Sequence, residues 1–401
     1  MTEAFPGEQH KRVHASKPPG FLERLSASTG GVIAGVCLFT LSFYVLFTNE
    51  GRALCTASSL DEGLNQVVSL HPMYAGTQNH GRLVHLSGPL RTAHVSVAAA
   101  VRPKLWSVCA GRQTAEEGGD YQWVEYSSSR DYEENGEKKT ETTYSYNAEW
   151  RSEVVSSRHF DQEVGHMNPS AMAVESVTVV APDVWVGRLF LSAGLVEQIT
   201  DFHTLSLQGL PVPVTNAFLT VYDDYFYHTA NPRRPEVGDV RVRFAYAGLS
   251  GDGVYPGPAH KVSVVAMQEG DQLKPFRTRS GDVLEILYMG HLSAEEVFAR
   301  EQQMNSVKTW GLRLAGWALM FLGISLSTRI IHTLVDWVPV LRELVSLGLK
   351  IFALCVSCSL SLLTIAAGWI FYRPLLGGAI ALLAFLPVLI AHARAPSKKH
   401  Q

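Results

Sequence analysis

The stretch from Ile351 to Tyr372, IFALCVSCSLSLLTIAAGWIFY, runs for 22 residues without a formal charge. As an α-helix it is about 33 Å long, enough to cross the roughly 30 Å hydrocarbon layer of a bilayer. Arg373-Pro374 closes it, and Leu375–Ala391 is a second uncharged run that completes a tight helical hairpin. Upstream, Leu314–Val335 carries Arg329 as its one formal charge. Near the beginning, Gly31–Phe47 is uncharged and is extended by Thr29, Gly30 and Thr48. A signal anchor fits this first run better than a cleaved leader, because a long polar segment precedes it and no small-x-small site follows directly.

Four spans therefore divide the chain. The expected order is a cytosolic tail (1–30), span one (31–48), a lumenal α+β domain (49–309), span two (310–335), a cytosolic loop (336–349), span three (350–372), span four (373–391) and a cytosolic tail (392–401). Orientation follows from basic residues in the short flanks. The first tail has Lys11, Arg12, Lys17 and Arg24, the short loop has Arg329, Arg342 and Lys350, and the last tail has Arg394, Lys398 and Lys399. Both termini then face the cytosol or nucleoplasm. Arg313, Arg329 and Lys350 lie near span ends, where long side chains reach back to the interface, and Asp336 sits at the cytosolic edge.

Composition narrows the function. Only 18% of the 401 residues are charged, with 34 Lys and Arg against 37 Asp and Glu. Such a balance offers no basic stripe for nucleic acid. Five cysteines exclude a disulfide-dense scaffold. Cys55 and Cys109 are the two in the lumenal segment; in an oxidising lumen they either form one bridge or stay as thiols. Cys355 and Cys358 form a CxxC inside a span, where low dielectric disfavours thiolates, so packing is the simpler role.

The 49–309 segment is expected to be mainly β. Tyr121–Arg130 and Thr140–Trp150 flank Asn135-Gly136, a strong hairpin turn. Leu83–Leu86, Val240–Tyr246 and Val262–Met267 have strand patterning. Helices are expected over Leu54–Val68, continuing from span one, and from Ser293-x-x-Glu296, a capping box. A third, over Leu189–Phe202, carries an apolar face of Leu189, Leu191, Leu195, Val196, Ile199 and Phe202. That face packs on the sheet or lies in the lumenal leaflet.

No catalytic or metal set emerges, and no cofactor is implied. The histidines show no HExxH and no Cys/His metal spacing. His159 and His166 flank Asp161 and Glu163 in what reads as a solvated cluster. Gly248-Leu249-Ser250-Gly251-Asp252 lacks nucleophile-elbow spacing, and Tyr222-Asp223-Asp224-Tyr225 reads as a strand end. On span three, Ala353, Ser357, Ser361, Thr364 and Gly368 gather on one helical face; Cys355, Ser359 and Ala366 gather on nearly the opposite one. Two small faces imply two close neighbours, so the helix is expected to be sandwiched inside a bundle or between protomers. Phe352, Val356, Leu360, Leu363 and Ile370 form the expected lipid-facing stripe. Lys398 and Lys399 stand where a dilysine retrieval signal of the endoplasmic reticulum would, or simply make a basic tail.

Seven segments stand out along the chain: Pro19–Leu25 (PGFLERL), Phe47–Leu54 (FTNEGRAL), Gly81–His85 (GRLVH), Asn168–Ser176 (NPSAMAVES), Tyr246–Asp252 (YAGLSGD), Lys308–Arg313 (KTWGLR) and Ala366–Trp369 (AAGW). With them the chain resembles the transmembrane protein 43 (LUMA) family from end to end. The resemblance implies a four-span, non-enzymatic protein of the endoplasmic reticulum and nucleus inner membrane. It further implies self-association, links to emerin and lamins in the nuclear envelope, and a scaffold role extending to gap-junction (connexin) contacts. A channel regulator and a lumenal lipid- or ligand-binding protein are the rival readings.

Overall fold

The computed structural model describes residues 9–16, 21–71, 77–92, 113–134, 137–181, 183–207, 219–229, 231–248, 259–328 and 339–375. The chain divides into two compact units. One, the sheet unit, takes 1–18, 66–276 and 284–297; the other, the helix unit, takes 19–65, 277–283 and 298–401.

The strands of the sheet unit begin with β1 (Gln9–Ser16), β2 (Val68–Leu70), β3 (Leu83–Thr92), β4 (Gln113–Glu134) and β5 (Glu137–Arg151). Then come β6 (Val177–Val180), β7 (Val184–Val186), β8 (Leu189–Phe190), β9 (Phe202–Thr204) and β10 (Leu219–Tyr222). The last are β11 (Tyr225–His228), β12 (Val240–Ala247), β13 (Lys261–Glu269), β14 (Gln272–Lys274) and β15 (Ile286–Met289). The first sheet runs β1-β5-β4-β12-β11-β10, with β6 on β4 and β9 on β12. The second runs β15-β13-β14-β8-β7-β3-β2, and an added β13–β3 pairing closes part of it into a ring. Alternation drives both. Val84, Leu86, Leu90, Val262 and Val264 turn into one core, and Phe226, Phe244 and Tyr246 into a second. The hairpin around Asn135-Gly136 is longer than its sequence pattern suggested, with β4 and β5 paired from Asp120↔Arg151 to Glu134↔Glu137. Asp223 and Asp224 have φ of 50° and 60°, which makes this acidic pair the turn of the β10–β11 hairpin.

Three expectations for this unit are corrected. First, the leading segment is not merely a polar tail. β1 pairs antiparallel with β5 from Gln9↔Ser145 to Ser16↔Lys138. Arg12 Nε and Lys11 Nζ each lie 2.9 Å from a carboxylate, Asp161 and Glu141 respectively. Backbone pairing needs both strands on one side of a bilayer, so it excludes a tail held opposite to 49–309 while it lasts.

Second, the 189–202 segment is not one amphipathic helix. Leu189 belongs to β8, Phe202 to β9, and only α2 (Ala193–Glu197) is helical. Ser192 caps α2, its Oγ accepting from Leu195 N at 3.3 Å, and also donates to Glu285. Leu189, Leu195, Val196 and Ile199 are core residues with Leu191 packed against them, and Phe202 is 38% exposed. A helical period of apolar residues here serves two strands and a turn, and its face is spent on the core rather than on a leaflet.

Third, the His159/His166 cluster is solvated only in part: His159 and Glu163 are exposed, but His166 and the Asp161 carboxylate are not. His166 is buried, stacked on Tyr146 at 4.0 Å and edge-on to Trp123. The Tyr146 hydroxyl donates to Glu125 at 2.6 Å, and burial first, then that carboxylate, pushes its pKa up to about 12.

The helix unit holds α1 (Phe21–Gln66), most of α3 (Ala294–Ser327) and α4 (Pro339–Tyr372). All three contain windows long and apolar enough to cross a membrane. The capping box opens α3 as expected, Ser293 N donating to Glu296 and Glu296 N donating to Ser293 Oγ. α4 starts at Pro339, so part of the expected 336–349 loop is helix. Span four, apart from Arg373–Leu375, lies outside the described residues.

Candidate functional site

The helices of this unit approach through glycine. A Cβ at Gly323 would lie 2.7 Å from Phe39 N and 2.8 Å from Gly35 O, so the α1 and α3 backbones nearly touch there. Lower on the same pair, Gly316 makes room for Leu46. Small residues permit this approach and let dispersion hold the helices together. Leu46, Met320, Ile324 and Ala353 close a small apolar core joining all three helices.

Beyond that core the described residues form a polar contact. Arg313 on α3 grips Glu50 on α1 through two parallel bonds, Nε to Oε1 and Nη2 to Oε2, each 2.7 Å. The Glu50 side chain is 4% exposed and that of Arg313 17%. A bidentate pair of this kind is a strong, oriented contact, and here it is largely desolvated. The Arg313 guanidinium also sits over Trp310 at 4.7 Å. Alongside, Arg52 donates to Asn49 Oδ1, Thr309 Oγ1 and Asn305 Oδ1. Asn49 donates to Thr309 O, and Asn305 donates back to Ala53 O. This ladder ties α1 to α3 over two turns.

α4 covers the pair. Gly368 leaves only 3.2 Å between its would-be Cβ and Glu50 Cβ, and Gly51 accommodates the Tyr372 ring. Glu50, Arg313, Trp369, Tyr372 and Arg373 line a cavity of about 120 Å³. Arg373 lies over Trp369 at 4.3 Å. So the site is a clamp: three helices converge on one buried ion pair.

Sequence reasoning had Arg313 reaching for an interface and gave Glu50 no role. The missing fact was their proximity, separated as they are by 263 positions. A signal existed, because FTNEGRAL and KTWGLR were both singled out, and these two motifs supply the two halves of the clamp.

The packing residues named for span three separate clearly. Ala353, Ser357, Ser361, Thr364 and Gly368 are buried; Cys355, Ser359 and Ala366 are exposed among the described residues. Ser361 Oγ donates to Met320 Sδ at 3.4 Å. The expected lipid-facing stripe is corrected in part. Val356 and Leu360 pack against the helix core, whereas Phe352, Leu363 and Ile370 are exposed. Cys55 is a free thiol donating to Ser280 O; Cys109, the partner suggested for it, lies outside the described residues. Lys398 and Lys399 lie outside them as well.

A family model described as Transmembrane protein 43 matches residues 120–374. Transmembrane protein 43 of Mus musculus is 55% identical over 98% of this chain and 97% of its own length. Its counterpart in Homo sapiens is 54% identical over 98% and 96%. The Transmembrane protein 43 homolog of Drosophila melanogaster is 32% identical over 88% and 92%. No solved structure matches. With three candidate spans, a sheet-rich unit and this similarity along nearly its whole length, the chain belongs to the Transmembrane protein 43 family of transmembrane proteins.

Proposed function

We propose that this protein is a non-enzymatic multipass scaffold of the endoplasmic reticulum and nucleus inner membrane. It organises nuclear-envelope complexes through self-association and partner binding, with emerin and lamins as the partners its family suggests. The observation that carries this reading is how the helix unit spends its charge. Glu50 and Arg313 satisfy each other bidentately, and Asn49, Arg52, Asn305 and Thr309 satisfy one another. A transporter or channel keeps intramembrane charge beside a polar path; here the same residue types fasten helices. The exposed small face of α4, Cys355, Ser359 and Ala366, supports contact with a further helix.

Two differently tagged copies, co-expressed near native level and crosslinked in intact membranes, test the reading. Recovery of one tag with the other, together with emerin, is expected; monomers under all conditions would sink it. Residence is tested separately. Replacing Lys398 and Lys399 by Ser should let protein leak past the endoplasmic reticulum if they act as a retrieval signal.

A further inference from the structure

We propose that Asp201, His203 and His260 form a binding site for one divalent cation of the zinc class, held by two imidazoles and one carboxylate. All three residues belong to the sheet unit. One ligand atom from each lies within 4.8 Å of the other two. His203 Nε2 is 3.3 Å from Asp201 Oδ2, and His260 Nε2 is 3.9 Å from the same oxygen. Zinc bonds of about 2.0–2.2 Å in a tetrahedron place neighbouring ligand atoms about 3.3 Å apart. One edge of that triangle is already at this length. The other two close with small side-chain rotations.

A second observation points the same way. The Nε2 atom of His260 is buried and has no hydrogen-bond partner. A buried imidazole nitrogen without a partner is costly. An ion on the Asp201 oxygen would take its lone pair. Asp201 and His203 are 53% and 35% exposed at their side chains, so an ion can enter and a water can complete the coordination.

The backbone fixes both histidines. His203 lies on β9, opposite Tyr246 of β12. His260 N donates to Gly248 O at 3.1 Å, and its carbonyl accepts from Leu90 N at 2.9 Å. The site therefore spans the join between the first sheet, through β9 and β12, and the second, at the start of β13. An ion there would act as a clip across that join. Two imidazoles with a single carboxylate favour zinc-class ions over calcium or magnesium, which prefer oxygen alone. Local spacing could not disclose it, because His260, just before β13, is distant in sequence from Asp201 and His203.

The test uses the full chain, purified in detergent and stripped of metal by EDTA, with Co²⁺ as spectroscopic probe and Zn²⁺ as competitor. One equivalent of Co²⁺ should bind with the absorption of a low-coordinate site. Zn²⁺ should displace it and raise the melting temperature, since a ligand specific to the folded state stabilises it. The double variant His203→Asn/His260→Asn should lose both effects. His159→Asn, at an exposed histidine elsewhere in the unit, should retain both. If the double variant does not fold, Asp201→Asn decides by the same titration, with a weakened signal expected. An unchanged cobalt signal in whichever of these variants folds, or no stoichiometric binding by the wild type, overturns the proposal.

Discussion

At the residue scale, the buried pair and a buried histidine carry the sharpest expectations. Removing one partner of a desolvated ion pair strands the other, at a cost of about 3–5 kcal/mol. Glu50→Gln and Arg313→Met should each lower the unfolding free energy of detergent-solubilised protein by about that much. Glu50→Gln/Arg313→Met should recover most of the loss, because no charge is left unpaired. Additive losses in such a double-mutant cycle would mean the two side chains act independently. His85 sits on β3, 6% exposed, its Nε2 donating to Leu292 O at 3.0 Å. Burial lowers its pKa from the usual imidazole value of 6.5, with the Leu292 carbonyl opposing. Below 6.5 the unfolded chain binds more protons than the fold, so this contribution is complete above 6.5. It is lost as pH falls from there through the lowered folded value. The slope is at most about 1.4 kcal/mol per pH unit. His85→Gln should flatten the acid side of a melting-temperature profile below the usual imidazole value of 6.5; an unchanged profile would place the sensitivity elsewhere. Neither residue was legible as important in advance. Glu50 and His85 gain their meaning from groups 263 and 207 positions away.

At the scale of elements, helix α4 shows how far periodicity reaches. At 100° per residue the sequence sorted Ala353, Ser357, Ser361, Thr364 and Gly368 onto one face, and these five are buried. It could not rank that face against the Cys355, Ser359 and Ala366 face, which is exposed among the described residues. Ser361→Leu should therefore overpack the contact with Met320 and destabilise the helix unit by about 1–3 kcal/mol. Ser359→Leu should leave that unit's stability unchanged and alter self-association instead. Crosslinking yield and detergent melting, measured on both variants, separate the two effects; identical behaviour would remove the distinction between faces. Val356, expected on the lipid-facing stripe, packs against the helix core, so the exposed Leu363 serves as the silent control position. The 189–202 segment is the opposite case. There an apolar period was present without a helix, because Ser192 caps a single turn and pairing in β8 and β9 claims both ends.

For the whole molecule, two contacts compete. Span one places eleven large apolar side chains between Val32 and Phe47, each gaining about 1.5–3 kcal/mol on leaving water. The rival is an eight-residue edge strand, β1 on β5, whose cross-strand pairs contribute about 0.2–1 kcal/mol each. On these magnitudes the crossing span is expected to outweigh the pairing, so β1 should give up β5 in a bilayer. An Asn-x-Thr acceptor at the Asn135-Gly136 turn should then be glycosylated, whereas acceptors before Gln9 or beside Lys398 should not. A glycosylated N-terminal acceptor would mean that β1 stays on β5 and that α1 does not cross. Run length and charge, which are local sums along the chain, by themselves determined the apolar helices; alternation and turn chemistry, equally local, determined the long hairpin and the strands around it. Tertiary structure alone decided that FTNEGRAL meets KTWGLR in a buried clamp, that one small face of α4 is inside, and that Asp201, His203 and His260 converge. Each of those depends on which distant segments the fold brings within a few ångströms, and no periodicity along one segment encodes its partner.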